Sequence, residues 1–478
     1  MATAKKIAHN TGFLFAANVL QKVATLILVF YVARILGVEE FGLYSFVFSF
    51  VALFGILANL GIDHLNLRDV AQDYKKAEEV LGVSISLKIF LSIITIFAAY
   101  ISIIIFGYDE RTVFLVFLAA FTVVLDNISA IFRTMFVAFE KMHLELIVNS
   151  VSKAILLAGG LFALFSGYGV IGLVITAILA SISNLLLSVY LCRSKIVKPK
   201  IIVSVKKSKD MLLKALPFYF IGIFMIIYAK IDIIMLSFFQ GNIAVGLYDS
   251  AVRLVDSLAI IITSFSTAIF PVMSRFYAQN HKSVSLIIEK SLKFILVVIL
   301  PIGVGTSILA QQIITFIYGP DFAPAAIALQ ILIWYTVLNF TALFMYLQLN
   351  SMNKEKQVSV IVGVSLIVNI LFNLYLIPRY SIVGAAFSTL ISQAVLVVAI
   401  YYYLKKEIKS ISYLRAAAKP FAASVIMAIP LLIIPAYFQV KVIFLILLAV
   451  IVYFIAFYII KGFSAEEIQI LKKALRPN

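Results

Sequence analysis

Apolar residues in this chain do not alternate with polar ones; they run together. Long stretches of Leu, Ile, Val, Phe and Ala are separated by short segments that hold most of the charge. Fourteen stretches can be drawn, at roughly 11–35, 41–61, 80–106, 112–138, 145–165, 169–192, 213–239, 245–272, 287–309, 325–349, 357–377, 381–404, 413–437 and 440–460. A helix of roughly 20 apolar residues crosses a bilayer core. Lipid cannot satisfy the backbone of an open strand, and a transmembrane barrel would show alternation in short segments, so the predicted elements are helices. The expected fold class is an all-α integral membrane protein with about 14 transmembrane helices.

The polar connections sort by charge. Alternate loops hold Lys5, Lys6, Arg68, Lys75, Lys76, Lys141, the run from Arg193 to Lys214, Arg275, Lys282, Lys354, Lys356, Lys405, Lys406, Lys409, Arg415 and Lys419; the other set holds Arg111, Arg379 and Lys441. By the positive-inside rule both termini are cytoplasmic, and an even number of spans is needed. This describes a multi-pass protein of the cell membrane.

The basic segment "RSKIVKPKIIVSVKKSKDMLLK" follows the sixth stretch and reads as a cytoplasmic connector held near anionic headgroups. It divides the chain into an N-terminal lobe (1–192, six spans), a basic linker (193–212), a C-terminal lobe (213–404, six spans) and a remainder (405–478) with two extra helices and a cytoplasmic tail. The lobes look related. Gly42-Leu43-Tyr44 opens the second stretch and Gly246-Leu247-Tyr248 the eighth, and "YGVIGLVITAILAS" in the sixth matches "YSIVGAAFSTLIS" in the twelfth. Both pairs share one membrane orientation, so the repeat is parallel, with pseudo-symmetry about the membrane normal and an expected transport site between the halves.

Composition narrows the function. Apolar residues make up 63% of the 478 positions and charged ones 13%, and mean hydropathy is +1.11. Soluble, disordered and disulfide-rich classes are excluded. The single Cys192 and four histidines supply neither a disulfide framework nor a convincing metal cluster. The formal charge of +17 sits in short loops, which argues against a nucleic-acid partner. No resident cofactor is expected; Na+ or H+ is the candidate coupling ion.

Charges inside the spans carry the chemistry, because each costs about 2.5–3.5 kcal/mol at mid-bilayer and so faces protein or water. They are Lys22, Lys88, Asp126, Arg133, Lys153, Lys230, Asp232, Asp249, Arg253 and Asp256. The positive surplus suits an anionic ligand such as a pyrophosphate. Lys88, Lys153 and Arg34 are expected to snorkel to the interface. Thr11, Asn18, Lys22 and Thr25 share one helical face, a polar stripe that can line a cavity. Asp249, Arg253 and Asp256 share another, Lys230 could reach an aspartate of that stripe, and Asp232, Asp249 and Asp256 are candidates for ion coupling. Asp126 and Arg133 read as a structural polar face. Asn369 and Asn373, on one face of the eleventh stretch, can bind sugar hydroxyls or join helices. Pro301 with Gly303 and Gly305 permits a bend in the ninth.

The segments "AKIDIIMLSFF", "VGLYDSAVRLVD", "FPVMSRFYAQN" and "IYGPDFAPAA", with Arg68 after the second stretch, together resemble the polysaccharide flippases of the multidrug/oligosaccharidyl-lipid/polysaccharide exporter superfamily. The resemblance implies two six-helix lobes around a central cavity plus two extra helices. It implies a non-enzymatic function, movement of a polyprenyl-(pyro)phosphate-linked oligosaccharide across the cytoplasmic membrane by alternating access, for cell-surface polysaccharide biosynthesis. Related flippases carry cavity cations on the first, seventh and eighth helices, where this chain has Lys22, Lys230 and Arg253; here two of the three are lysines and Arg253 is flanked by aspartates. Expected partners are the lipid-linked oligosaccharide, membrane lipid and polysaccharide-assembly enzymes. The competing readings are a multidrug or cation exporter of the same superfamily, which calls for an acidic cavity, and a membrane glycan-transfer enzyme, for which the outer loops are too short.

Overall fold

The computed structural model describes residues 2–258, 281–351, 354–407, 413–437 and 440–463, with side chains described from residue 21 in the first helix and from residue 292 in the helix that begins at His281. The helices are α1 (Ala2–Asn59), α2 (Ile62–Gln72), α3 (Ala77–Ile105), α4 (Glu110–Ala138), α5 (Met142–Phe165), α6 (Gly169–Lys195), α7 (Val205–Ser257), α8 (His281–Tyr318), α9 (Ala325–Ser351), α10 (Glu355–Glu407), α11 (Tyr413–Tyr437) and α12 (Val442–Ile459). No strand occurs among the described residues. All but α2 are long and apolar enough to span a membrane, eleven in total.

Three of the eleven are broken within. Gly37 in α1 and Gly241 in α7 have nearly the same torsions, φ 78, ψ −179 and φ 76, ψ −175. Ser381 interrupts α10 at φ 49, ψ −127. The left-handed φ is inexpensive for glycine and strained for serine. The chain doubles back at two of these points. Tyr248 Oη donates to Asp232 Oδ2 at 2.7 Å across 16 residues, which a straight helix would hold about 24 Å apart. Ser365 Oγ donates to the Ser392 carbonyl at 2.7 Å across 27 residues, about 40 Å along a straight helix. Divided at the three breaks, the eleven helices give fourteen helical segments among the described residues.

The chain falls into two compact units, residues 1–249 and 250–478. In the first, α4 packs on α3 and α6, α5 on α6, and α1 on α3, α4 and α5. Its core joins Leu81, Ile131, Phe132, Met135, Phe136 and Cys192. Asp109 caps α4, accepting from Thr112 N at 3.1 Å and Thr112 Oγ1 at 2.6 Å, and so satisfies an amide the first helical turn leaves open. Burial pushes the Asp109 carboxyl up, but these hydrogen bonds together hold it below its usual value. In the second unit, α9 packs on α8 and α10, and α11 on α8 and α12. Helix α8 is continuous through Pro301, and Tyr453 Oη of α12 donates to the Val297 carbonyl of α8 at 2.8 Å.

Candidate functional site

The first unit holds a closed contact at one end and a cavity towards the other. At the closed end, the segments that follow the Gly37 and Gly241 breaks cross at Gly42 and Gly246. A methyl group on Gly42 would overlap the Asn242 carbonyl, and one on Gly246 the Val38 carbonyl. Small residues are what let two backbones approach this closely in a membrane. One turn on, Ser45 Oγ donates to Asp249 Oδ2 at 2.6 Å. Around the crossing, Tyr108 Oη and Ser237 Oγ lie 3.0 Å apart, Phe46 stacks on Tyr108, and Arg111 grips Glu40 through two nitrogens at 2.6 and 2.7 Å.

The cavity, of about 410 Å³, lies between α1, α2, α4 and α7 and presents Asn59, His64, Asp126, Asn127 and Tyr219. Its α4 wall is fixed from behind. Lys88 of α3, with a side chain fully removed from solvent, pairs with Asp63 Oδ1 at 2.7 Å and donates to the Asn127 carbonyl at 2.9 Å. Lys88 therefore does not snorkel, contrary to expectation: α2 brings a carboxylate to it, and a paired ammonium gains nothing by reaching for the interface. Asp126 keeps the structural role expected of it in an interhelical contact, a hydrogen bond with Ser181 of α6, and also lines the cavity. Arg133 fits that role: its Nη1 donates to Asn184 Oδ1 at 2.8 Å, beside contacts of Asn184 with Ser129 and of Ser129 with Ser188.

The candidate residues divide by environment. Lys22 is exposed and Lys230 half-buried, and neither has an acidic partner among the described residues. Of the stripe that Lys230 was expected to reach, Asp249 accepts from Ser45; Asp232, on its own helix, accepts from Tyr248. Arg253 is half-buried and Asp256 exposed, both in the second unit. There too Asn373 Nδ2 donates to Asn369 Oδ1 at 3.1 Å, both residues buried, and Gln393 Nε2 donates to Asn339 Oδ1 at 3.3 Å. The side chain of Asn18 and the segment "FPVMSRFYAQN" lie outside the described residues. No group of three His, Cys, Asp or Glu able to hold a metal occurs among the described residues.

Comparison with known proteins matches residues 7–277 to the family model described as polysaccharide biosynthesis protein. The chain belongs to this family. A second model, MatE, matches residues 217–375. Among related sequences, the chain is 23% identical to the probable low-salt glycan biosynthesis flippase Agl15 of Haloferax volcanii, over 83% of each chain. It is 22% identical to the putative O-antigen transporter of Shigella dysenteriae, over 82% of this chain and 96% of that one. Among solved structures, the inward closed conformation of the lipid II flippase MurJ superposes with a TM-score of 0.78 at 18% identity, covering 94% of this chain and 99% of that one. An inward-facing multidrug resistance transporter of the MATE family and MOP superfamily gives 0.67 at 17% identity, covering 81% and 94%. This member of the polysaccharide biosynthesis family is thus a multi-pass membrane protein with the fold of that superfamily.

Proposed function

We propose that this protein is a flippase that moves a polyprenyl-(pyro)phosphate-linked oligosaccharide across the cytoplasmic membrane for cell-surface polysaccharide assembly. The observation that carries the reading is the pair of intramembrane cations, Lys22 and Lys230, without acidic partners among the described residues. Each costs about 2.5–3.5 kcal/mol in a bilayer, and an anionic lipid-linked substrate offsets that cost. An exporter of organic cations would meet repulsion at the same places. The glycan-biosynthesis flippase and O-antigen transporter among the relatives support the same substrate class.

The mechanism is alternating access. With both termini cytoplasmic, the Gly42–Gly246 crossing closes the outer end while the cavity at Asn59 and His64 opens inward. A lobe of residues 1–192 and a lobe of 213–404 rock about the linker 193–212, with residues 405–478 as an added helical pair. The headgroup enters, the crossing parts, and the lipid tail stays in the bilayer. Asp232, Asp249 and Asp256 are the carboxylates through which Na+ or H+ couples to this motion. Polysaccharide-assembly enzymes supply and consume the substrate, and the protein itself makes or breaks no bond.

Purified protein in vesicles loaded with a fluorescent polyprenyl-pyrophosphate-linked disaccharide tests the reading. Protein-dependent loss of the label to a membrane-impermeant quencher supports it. Transport of an organic cation with no movement of the glycolipid replaces it with the exporter.

A further inference from the structure

The connection between α6 and α7 is clamped to the membrane domain, and its outward face has the chemistry of a lipid contact. On the inward face, Ile202 N donates to the Gly82 carbonyl at 3.2 Å, and Ser86 Oγ donates to the Ile202 carbonyl at 2.8 Å. The Lys200 carbonyl lies so close to Gly82 that a methyl group there would overlap it. Lys200 pairs with Glu78 and Lys207 with Glu79, each at 2.6 Å. The segment is thus tied to the first ten residues of α3.

Its other face is apolar and basic. Ile201, Val203 and Val205 are 66%, 83% and 85% exposed. Ile201 and Val203 flank the docked residue Ile202, and Val205 opens α7. Lys198, Lys206 and Lys209 beside them are exposed and have no acidic partner among the described residues. Water alone gives no reason to hold three branched aliphatic side chains outward in a row.

The depth fits. Helix α3 has 29 residues, a length of about 43 Å, against a hydrocarbon core of about 30 Å. Roughly 13 Å of the helix exceeds that core, shared between its two ends, and the clamp at Glu78, Glu79, Gly82 and Ser86 sits at the N-terminal end. A basic, partly apolar segment held at that level meets the negative surface potential of the cytoplasmic leaflet.

We propose that residues 198–209 form an anionic-phospholipid-binding strap. Ile201, Val203 and Val205 enter the boundary between headgroups and acyl chains, and Lys198, Lys206 and Lys209 take the phosphates of acidic phospholipids. The strap ties the connector between the two repeats to one leaflet and makes the protein responsive to that leaflet's charge.

The test attaches an NBD fluorophore at Val203→Cys in a Cys192→Ala background and reconstitutes the full chain in phosphatidylcholine/phosphatidylglycerol 1:1 vesicles. Composition stays fixed while shallow bromines are placed on the acyl chains of one lipid or the other. Bromines on phosphatidylglycerol should quench at least about twice as strongly as bromines on phosphatidylcholine. The triple substitution Lys198→Gln, Lys206→Gln, Lys209→Gln should abolish that difference while lipid quenching itself persists. Equal quenching by the two lipids in the parent overturns the proposal. So does quenching by aqueous iodide with none by either lipid, or a signal that follows protein density in the membrane, which would assign the face to a second copy of the chain.

Discussion

Ser45 and Asp249 are joined by a 2.6 Å hydrogen bond, hydroxyl to carboxylate, and stand 204 residues apart. The same offset relates Gly42 to Gly246, which cross at their backbones, and Gly37 to Gly241, which share one unusual pair of torsions. A residue that touches its own repeat partner lies beside the pseudo-symmetry axis. The closed end of the first unit is therefore built where equivalent positions of the two repeats meet.

Gly42→Ala follows directly. The added methyl would meet backbone rather than a yielding side chain, and overpacking of this kind costs about 1–3 kcal/mol. That is a shift of roughly five- to 150-fold towards the parted arrangement. A reporter at Ser49→Cys, buried one turn beyond Ser45, should react with an impermeant maleimide from outside correspondingly faster in the Gly42→Ala protein. An unchanged rate means the crossing does not control access.

The pair of buried Lys88 and half-buried Asp63 gives a stability prediction. Removing Asp63 strands a fully buried ammonium and costs about 3–5 kcal/mol, whereas replacing both with apolar residues is often nearly neutral. Asp63→Leu should lower the melting temperature in detergent sharply, Lys88→Met less so because water reaches the carboxylate it leaves, and the double variant should recover most of the Asp63→Leu loss. Additive losses would show that the two side chains act independently.

Much of the fold was legible in the sequence, for a physical reason. Lipid leaves a spanning segment little choice but a helix, so among the described residues the apolar runs coincide with helices, the stretch 245–272 lying outside them beyond residue 258, and the repeated Gly-Leu-Tyr marks the crossing. Asn369 and Asn373 could be paired in advance because four residues along a helix is one turn. What stayed hidden depends on contacts between distant segments. Nothing near Lys88 in sequence announces Asp63, which arrives on α2 as that helix folds against α3. Ser45 is one serine among many until the repeat offset singles it out. Asp126 and Arg133 share a helix and read alike, and both bond to α6, at Ser181 and Asn184, yet Asp126 also lines the cavity, which only tertiary packing decides.

Topology can be checked independently. In a Cys192→Ser background, cysteine at Asp321 should be labelled by an impermeant thiol reagent applied outside intact cells, and cysteine at Lys75 should be labelled only after permeabilisation. Both native side chains are exposed, so access rather than burial decides the outcome. The reverse pattern would invert the membrane orientation and place the cavity on the outer side.

The sign of the ligand remains the sharpest question, and charge reversal answers it. Phosphate held by a fixed cation is a strong, charge-assisted contact that a low dielectric strengthens further. Lys22→Glu, Lys230→Glu and Arg253→Glu should each abolish surface glycan in a strain lacking its own flippase, with membrane abundance unchanged. Lys22→Arg should keep part of the activity, because the charge stays and only the geometry changes, and the exposed Lys405→Glu should be near neutral. Surface glycan at the parent level in all three intramembrane reversals would contradict an anionic lipid-linked substrate at these residues.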